Sequence, residues 1–102
     1  GLRLPPEPPG LKNVYWMYGL VVEDGFGMTR DELRNALAAR GVETRTFFVP
    51  MHCQPIYFRK YQGQRYPVAE DLCRRGLYLP SSSSLSEQQI DYVGQQIREV
   101  RP

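Results

Sequence analysis

The most informative stretch of this sequence is Gly41-Val-Glu-Thr-Arg-Thr-Phe-Phe-Val-Pro-Met-His-Cys-Gln-Pro-Ile-Tyr57. It begins as a predicted strand, Val42 to Phe48, and breaks at Pro50 into a loop that carries His52, the one histidine of the chain. Each proline fixes its own φ and pushes the residue before it toward extended geometry, so both ends of the loop are stiffened. A stiff loop on a rigid scaffold suits side chains that contact a ligand or another domain.

The residues before this stretch predict a strand, a turn and a helix. Val14 to Glu23 is rich in aromatic and β-branched residues and apolar on both faces, which predicts a strand covered on both sides or leaning on another domain. After a turn at residues 24–27, Thr29 and Glu32 have the spacing of a capping box. The helix that they open is predicted to stop at Gly41.

The residues after the stretch predict two more helices joined through a short strand. Residues 58–65 are polar and basic and are predicted to form an exposed loop. Pro67 suits the first turn of a helix over residues 68–75, and a strand follows at residues 77–79. Ser86 and Gln89 form a second capping-box pattern and open the last helix. The predicted core face of that helix consists of Ile90, Val93, Ile97 and Val100.

This order of elements predicts an α+β fold, a small mixed or antiparallel sheet with helices packed on one face. A parallel doubly wound sheet is disfavoured because the third strand is short and no glycine-rich phosphate loop follows the first. Residues 1–10 contain four prolines, and this composition predicts that residues 1–12 are an extended linker.

Composition narrows the possible functions. The net charge is only +2, with 13 basic residues scattered among 11 acidic ones, so we expect no nucleic-acid partner. No apolar run approaches the ~20 residues that span a bilayer, and no signal-peptide pattern is present. Cys53 and Cys73 do not make the disulfide framework of a secreted domain, and with one histidine they are too few for a zinc site. We expect a cytoplasmic protein with no metal site and no membrane partner.

Residues 42–55 closely resemble the C-terminal part of the DegT/DnrJ/EryC1/StrS sugar aminotransferases, which depend on pyridoxal phosphate. The flanking sequence agrees, with Asn13-Val-Tyr-Trp-Met-Tyr-Gly-Leu-Val-Val-Glu-Asp24 before it and Leu85-Ser-Glu-Gln-Gln-Ile90 after it. The resemblance covers nearly the whole chain but only the small domain of these fold-type I enzymes. It implies that residues 1–12 are an interdomain linker and residues 13–102 the C-terminal small domain, without the large domain that binds the cofactor.

The resemblance is strongest to family members that transfer an amino group from glutamate to C4 of GDP-4-keto-6-deoxymannose. It implies a homodimer with active sites at the subunit interface. It also implies that pyridoxal phosphate is held by a lysine of the intact enzyme. Lys12 and Lys60 are the only lysines here, and neither stands in a context that resembles the cofactor lysine. We therefore expect this chain alone to bind no cofactor and to be inactive.

In the family, the Pro-x-His loop lies near the sugar-nucleotide end of the active site. The resemblance therefore implies that the substrate contacts Thr46, Phe48, Met51, His52 and Gln54. Judged from the residues alone, His52 is more commonly a loop histidine bonded to backbone.

The neighbours of His52 also have simpler interpretations. Arg45 could grip a carboxylate or phosphate with its guanidinium, but a strand-surface ion pair with Glu43 or Glu23 is favoured. Cys53 is expected to be a small buried residue rather than a nucleophile, because adjacent side chains in an extended loop point apart. Gln54 would either hold a substrate hydroxyl or tie down the loop.

Two other functions remain open. Related enzymes on the same scaffold dehydrate the sugar instead of aminating C4, and that choice depends largely on the cofactor lysine, which this chain does not contain. The second is a free-standing module whose apolar sheet face binds a protein partner. A base-stacking platform for nucleic acid is disfavoured because arginine and lysine do not interleave with the aromatic strand residues.

Overall fold

The computed structural model describes residues 1–102 and contains a four-stranded sheet and four helices. The strands are β1 (Leu2–Arg3), β2 (Tyr18–Val22), β3 (Arg45–Thr46) and β4 (Gly76–Leu79), in the order β1-β2-β4-β3. The helices are α1 (Arg30–Ala38), α2 (Pro55–Phe58), α3 (Pro67–Arg75) and α4 (Glu87–Val100), with 3-10 turns at Asp24–Phe26 and Met51–Cys53. Every strand pair is antiparallel, which confirms the predicted α+β class.

The two central strands carry the core. Leu20 of β2 pairs with Leu77 of β4, and the alternation of a strand puts Val22 on the same face as Leu20. Leu33 and Leu37, one turn apart on α1, are fully buried against this face. A fully buried leucine contributes about 2 kcal/mol relative to an exposed one, so these contacts fix how α1 docks. The apolar residues of α4 that pack against the same cluster are Val93, Ile97 and Val100.

An aromatic ring packs on the opposite face of the sheet. Phe47 stacks on Tyr78 with ring centroids 4.4 Å apart and an interplanar angle of 24°. A Cβ added at Gly19 would lie 2.8 Å from Phe47 Cζ, and one added at Gly76 would overlap the Phe47 ring. Two glycines on neighbouring strands therefore make the space that Phe47 occupies.

Both predicted capping boxes are confirmed. The Thr29 backbone N–H donates to Glu32 Oε2 at 2.7 Å, and Thr29 Oγ1 accepts from the Glu32 backbone N–H at 3.3 Å. Ser86 and Gln89 make the equivalent pair at 2.9 and 3.2 Å. Gly41 follows α1 with a φ of 74°, the left-handed region that a glycine enters without strain.

The first predicted strand is shorter than residues 14–23, because β2 begins at Tyr18. Asn13 Oδ1 accepts from the Tyr15 backbone N–H at 2.8 Å, and Tyr15 has a φ of 48°. This local turn replaces the strand hydrogen bonds. Val14 and Trp16, which lie inside the predicted strand, are 84% and 79% exposed.

The second predicted strand, residues 42–48, is also mostly absent, because β3 contains only Arg45 and Thr46. The Val42 backbone N–H donates to the Leu37 carbonyl at 3.0 Å, so Val42 closes the end of α1 and is buried in the core. The backbone N–H of Val42 therefore bonds to the end of a helix and not to a neighbouring strand.

Two further predictions are corrected by the structure. Residues 1–12 are not wholly an extended linker, because Leu2 and Arg3 pair with Val22 and Val21 as an edge strand. Ile90 was predicted in the core face of α4 but is 56% exposed, whereas Gln96 is 7% exposed. Ile90 instead lies in an apolar groove beside Leu85.

Candidate functional site

The loop after β3 is held in one conformation by its own hydrogen bonds. Residues 51–53 form a 3-10 turn, in which the Cys53 backbone N–H donates to the Pro50 carbonyl at 2.9 Å. Gln54 is extended, with φ −67° and ψ 141°, as expected before Pro55. Its side-chain amide donates to the Val49 carbonyl at 3.0 Å. Gln54 therefore ties down the loop, one of its two predicted roles.

His52 pairs with a carboxylate from a distant part of the chain. Its Nε2 lies 3.2 Å from Oε1 of Glu70, which is 18 residues away on α3. The His52 ring packs against Tyr66, with centroids 4.7 Å apart, and its side chain is only 11% exposed. The prediction that His52 bonds to backbone is therefore wrong, because the side chain of a helix residue occupies its Nε2.

Glu70 links α3 to His52 and to the two residues just before α3. Its Oε1 also accepts from the Tyr66 backbone N–H at 2.9 Å, and its Oε2 accepts from Arg65 Nε at 3.1 Å. The Tyr66 backbone N–H, together with the Arg65 guanidinium, lowers the pKa of the Glu70 carboxyl below its ordinary value of 4.5. Glu70 is therefore ionised at neutral pH and holds His52 to α3.

A cleft of about 550 Å³ opens beside this cluster. Three tyrosines, one imidazole and apolar side chains form its walls. The lining residues are Pro50, Met51, His52, Tyr57, Tyr61, Tyr66 and Ala69. Flat aromatic faces combined with a few polar groups are typical of sites for small organic ligands. Such a cleft can stack a ring against tyrosine and hydrogen-bond a hydroxyl through the imidazole.

The structure brings two of the five predicted substrate residues together. Met51 and His52 both line the cleft. Thr46 lies on β3 opposite Leu77, and Phe48 packs against Tyr78 on the sheet face with centroids 5.7 Å apart. The predicted residues therefore fall into a cleft group and a sheet-face group, with Gln54 holding the loop beside the cleft.

Sequence reasoning missed Glu70 and the tyrosines of the cleft. Tyr57 and Tyr61 are four residues apart, a spacing that puts both on one side of a helical turn. The Tyr61 backbone N–H does donate to the Tyr57 carbonyl at 3.1 Å, although α2 ends at Phe58. Nothing local pairs Glu70 with His52, because their contact is tertiary.

Two expectations about the surrounding side chains are wrong. Cys53 is exposed rather than buried, because the 3-10 turn directs it away from the core. Arg45 makes no ion pair with Glu43 or Glu23, and Glu23 lies 3.7 Å from Arg3 instead. Arg45 on the edge strand β3 is therefore left exposed to solvent.

The two lysines do not fit the role of a cofactor lysine. Lys12 Nζ lies 3.4 Å from Glu7 and is largely exposed, and Lys60 Nζ stands 5.5 Å from the centre of the Tyr61 ring. Neither lysine is among the residues that line the cleft. No group of three metal-ligating side chains comes together in the structure. None of the helices has the length and apolar character needed to cross a membrane.

The sequence profile of the DegT/DnrJ/EryC1/StrS aminotransferase family matches residues 2–98. This chain belongs to that family. The resemblance predicted from residues 42–55 and their flanks is therefore confirmed.

Family members with named activities match most of this chain. The GDP-perosamine synthase of Escherichia coli O157:H7 is 44% identical over 93 residues, which is 91% of this chain and 24% of the relative. The GDP-perosamine synthase of Caulobacter vibrioides is 37% identical over 82 residues, covering 80% of this chain and 22% of the relative.

Solved structures of family members share the fold. S. venezuelae DesV, in complex with a ketimine intermediate, superimposes with a TM-score of 0.85 at 34% identity. The match covers 97% of this chain and 26% of DesV. An aminotransferase of the same family from Brucella abortus gives a TM-score of 0.82 at 29% identity, over 98% of this chain and 26% of its own. The chain thus spans about a quarter of the length of the proteins that it matches.

Proposed function

We propose that this chain is the C-terminal small domain of a pyridoxal-phosphate-dependent nucleotide-sugar aminotransferase. The proposed reaction is amino transfer from glutamate to C4 of GDP-4-keto-6-deoxymannose. The observation that carries this proposal is the 44% identity with a GDP-perosamine synthase across 91% of the chain. The proposed domain spans residues 13–102, and the cofactor and its lysine belong to the rest of the enzyme.

The cleft beside His52 supports a role in holding the substrate. Its tyrosine rings offer flat apolar surfaces for the sugar or the base, and the imidazole offers a polar contact for a hydroxyl. Met51 and His52 are the proposed contacts inside the cleft. Thr46 and Phe48 would contact the substrate from the sheet side, and Gln54 would keep the loop in place.

The exposed apolar surface supports a role as part of a larger enzyme. Only 10 of 102 residues are buried, while many large hydrophobic side chains face solvent. Trp16 and Ile56 are examples at two separate places on the surface. An isolated domain rarely exposes so many apolar groups, which are typical of surfaces that meet another domain or subunit. We propose that the large domain and the second subunit of a homodimer cover them.

The test is an assay of the complete gene product that contains this chain. The purified protein is incubated with pyridoxal phosphate, glutamate and GDP-4-keto-6-deoxymannose, and the sugar nucleotide is analysed by mass spectrometry. We expect the keto oxygen to be replaced by an amino group. The same assay with the 102-residue chain alone is the control and is expected to give no product.

Other outcomes would support the alternatives. A product that has lost a sugar hydroxyl without gaining nitrogen identifies a dehydratase on the same scaffold. A gene product that contains no Schiff-base lysine and converts no nucleotide sugar contradicts the proposal. It would favour an interaction module that binds a protein through the exposed apolar surface.

A further inference from the structure

The bond between His52 and Glu70 fixes which imidazole nitrogen carries the proton. An ionised carboxylate can only accept hydrogen bonds, so the nitrogen that faces it must be a donor. Nε2 of His52 faces Glu70 Oε1 at 3.2 Å. In a neutral imidazole with the proton on Nε2, Nδ1 has no proton and is a hydrogen-bond acceptor.

Nδ1 has no partner within the protein. The His52 side chain makes one hydrogen bond, and that bond uses Nε2. His52 also lines the cleft, whose other walls are mainly aromatic and apolar. An acceptor at the wall of such a cleft matches a ligand that brings a hydroxyl or amine donor.

The orientation of the ring is fixed from two sides. Tyr66 packs against the His52 ring at 4.7 Å, and Glu70 holds the Nε2 edge. Glu70 is itself fixed by the Tyr66 backbone N–H and by Arg65, neither of which depends on His52. A flip of the imidazole would place a carbon opposite the carboxylate and lose the bond, so one orientation is favoured.

We propose that Glu70 is a positioning residue that keeps neutral His52 in the Nε2–H tautomer, so that Nδ1 accepts a hydrogen bond from a sugar hydroxyl of the substrate. The identity of the ligand rests on the proposed function, whereas the tautomer does not. A site built to pair with a hydroxyl discriminates strongly against an analogue that lacks it, because its polar group is then left unpaired. His52 would therefore determine specificity, and Glu70 would act through it.

The tautomer can be measured directly because the chain has a single histidine. Long-range proton–nitrogen correlation spectra of the uniformly ¹⁵N-labelled 102-residue chain, at about pH 9 where histidine is generally neutral, report which nitrogen is protonated. We expect a protonated Nε2 and an unprotonated Nδ1. A folded chain with the proton on Nδ1, or with equal populations of the two tautomers, would overturn the proposal.

Two variants test whether Glu70 selects the tautomer. Glu70→Gln keeps the size of the side chain but has one oxygen where the carboxylate has two. When that oxygen accepts from Arg65, the amide NH₂ faces Nε2 of His52 and can only donate to it; when the amide is turned round, the oxygen accepts from Nε2–H as before. We expect a mixture of tautomers in this variant. Arg65→Gln is the matched control, because it removes another partner of Glu70 while leaving the His52 contact, and it should keep the Nε2–H form. An unchanged spectrum in a folded Glu70→Gln chain would contradict the proposal.

The role in substrate binding is tested in the complete enzyme. We expect Glu70→Gln and His52→Ala each to lower kcat/KM about tenfold, the typical cost of one lost hydrogen bond. In the His52→Ala background, Glu70→Gln should have no further effect, because Glu70 acts through His52. His52→Asn, whose side-chain oxygen can replace Nδ1 as an acceptor, should recover part of the loss.

If Glu70→Gln still lowers kcat/KM about tenfold in the His52→Ala background, Glu70 has a role separate from His52 and the proposal fails. The spectra are recorded without substrate or cofactor, so they distinguish this failure from failure of the proposed function. An enzyme that does not aminate the sugar would leave the measured tautomer unchanged.

Discussion

Arg30 holds the carbonyl of Gly76 at the junction between α3 and β4. Its Nη1 donates to the Gly76 carbonyl at 3.0 Å and to the Cys73 carbonyl at 3.1 Å. The carbonyls at the end of a helix lack intrahelical partners and carry a partial negative charge, so the partly buried guanidinium of Arg30 suits them well. The first residue of α1 thereby fixes the end of α3, which carries Glu70 and one wall of the cleft.

Removal of this contact should destabilise the fold. We expect Arg30→Ala to lower the free energy of unfolding by about 2 kcal/mol, since hydrogen bonds to charged groups typically contribute about 1.5–3 kcal/mol. Urea unfolding of the 102-residue chain measures the change. Arg34→Ala on the exposed side of α1 is the control and should change stability little. Equal effects of the two variants would show that the Arg30 contact adds no stability.

The Phe47 ring should make Gly76 intolerant of a larger residue. An added methyl group at Gly76 would overlap the ring, and overpacking typically costs about 1–3 kcal/mol. We expect Gly76→Ala to lower the midpoint of urea unfolding. Phe47→Ala should remove only part of this extra cost in the double variant, because the new Cβ would still lie 2.5 Å from the Leu72 carbonyl oxygen. Gly94→Ala is the control, because a Cβ there meets only Arg98 at 3.6 Å. It should stabilise α4 by about 0.5–1 kcal/mol. A Gly76→Ala chain as stable as the original would contradict the packing of Phe47.

The two capping boxes should contribute independently. Thr29→Ala and Ser86→Ala each remove a side-chain acceptor for an N-terminal N–H of a helix. We expect each to cost about 1 kcal/mol, and the double variant to cost the sum, because the two sites share no partners. Thermal unfolding followed by circular dichroism measures the losses. Ser83→Ala, in the connector before α4, should leave the transition unchanged.

Acidification should weaken the loop around His52. The pKa of Glu70 is lowered in the fold, chiefly by the Tyr66 backbone N–H and then by Arg65. Its contribution to stability is therefore complete above the ordinary value of 4.5 and is lost as the pH falls through the lowered pKa. We expect urea unfolding between neutral pH and about pH 3 to lose stability more steeply in the original chain than in Glu70→Gln.

A matched exposed carboxylate controls for this pH effect. Glu87 lies in the first turn of α4 and makes no side-chain hydrogen bond. Glu87→Gln should retain the steep acid response of the original chain. If Glu70→Gln and the original chain lose stability in parallel, Glu70 makes no favourable contact in the fold that depends on its charge.

Features that depend on neighbours in sequence were predictable. The pairs Thr29 with Glu32 and Ser86 with Gln89 both form, because a capping box needs only residues three positions apart. The order of the elements and the lengths of the connections predicted a mixed or antiparallel sheet, and every strand pair of the structure is antiparallel. The ends of the strands were not predictable in the same way. Tyr15 is drawn into a local turn by Asn13.

The candidate site was predictable only in part, for a related reason. The prolines on either side of His52 predict a constrained loop, and residues of that loop line the cleft. The partner of His52 comes from a helix 18 residues later, and its approach depends on how α3 docks. The spacing of apolar residues in α4 did not predict that Ile90 would be exposed and Gln96 buried. The exposed Ile90 lies in a groove on the surface.

The pairing of Leu2 and Arg3 with β2 has a practical consequence for any shortened form of this chain. A version that starts at Asn13 would leave the β1 side of the strand at Val21 without its partner Arg3, and the Glu23 N–H would lose the Gly1 carbonyl that it reaches at 2.8 Å. A bare strand edge of apolar residues is a template for joining other molecules edge to edge. Removal of residues 1–12 would therefore favour precipitation and fibre growth, and the first three residues protect the chain from both.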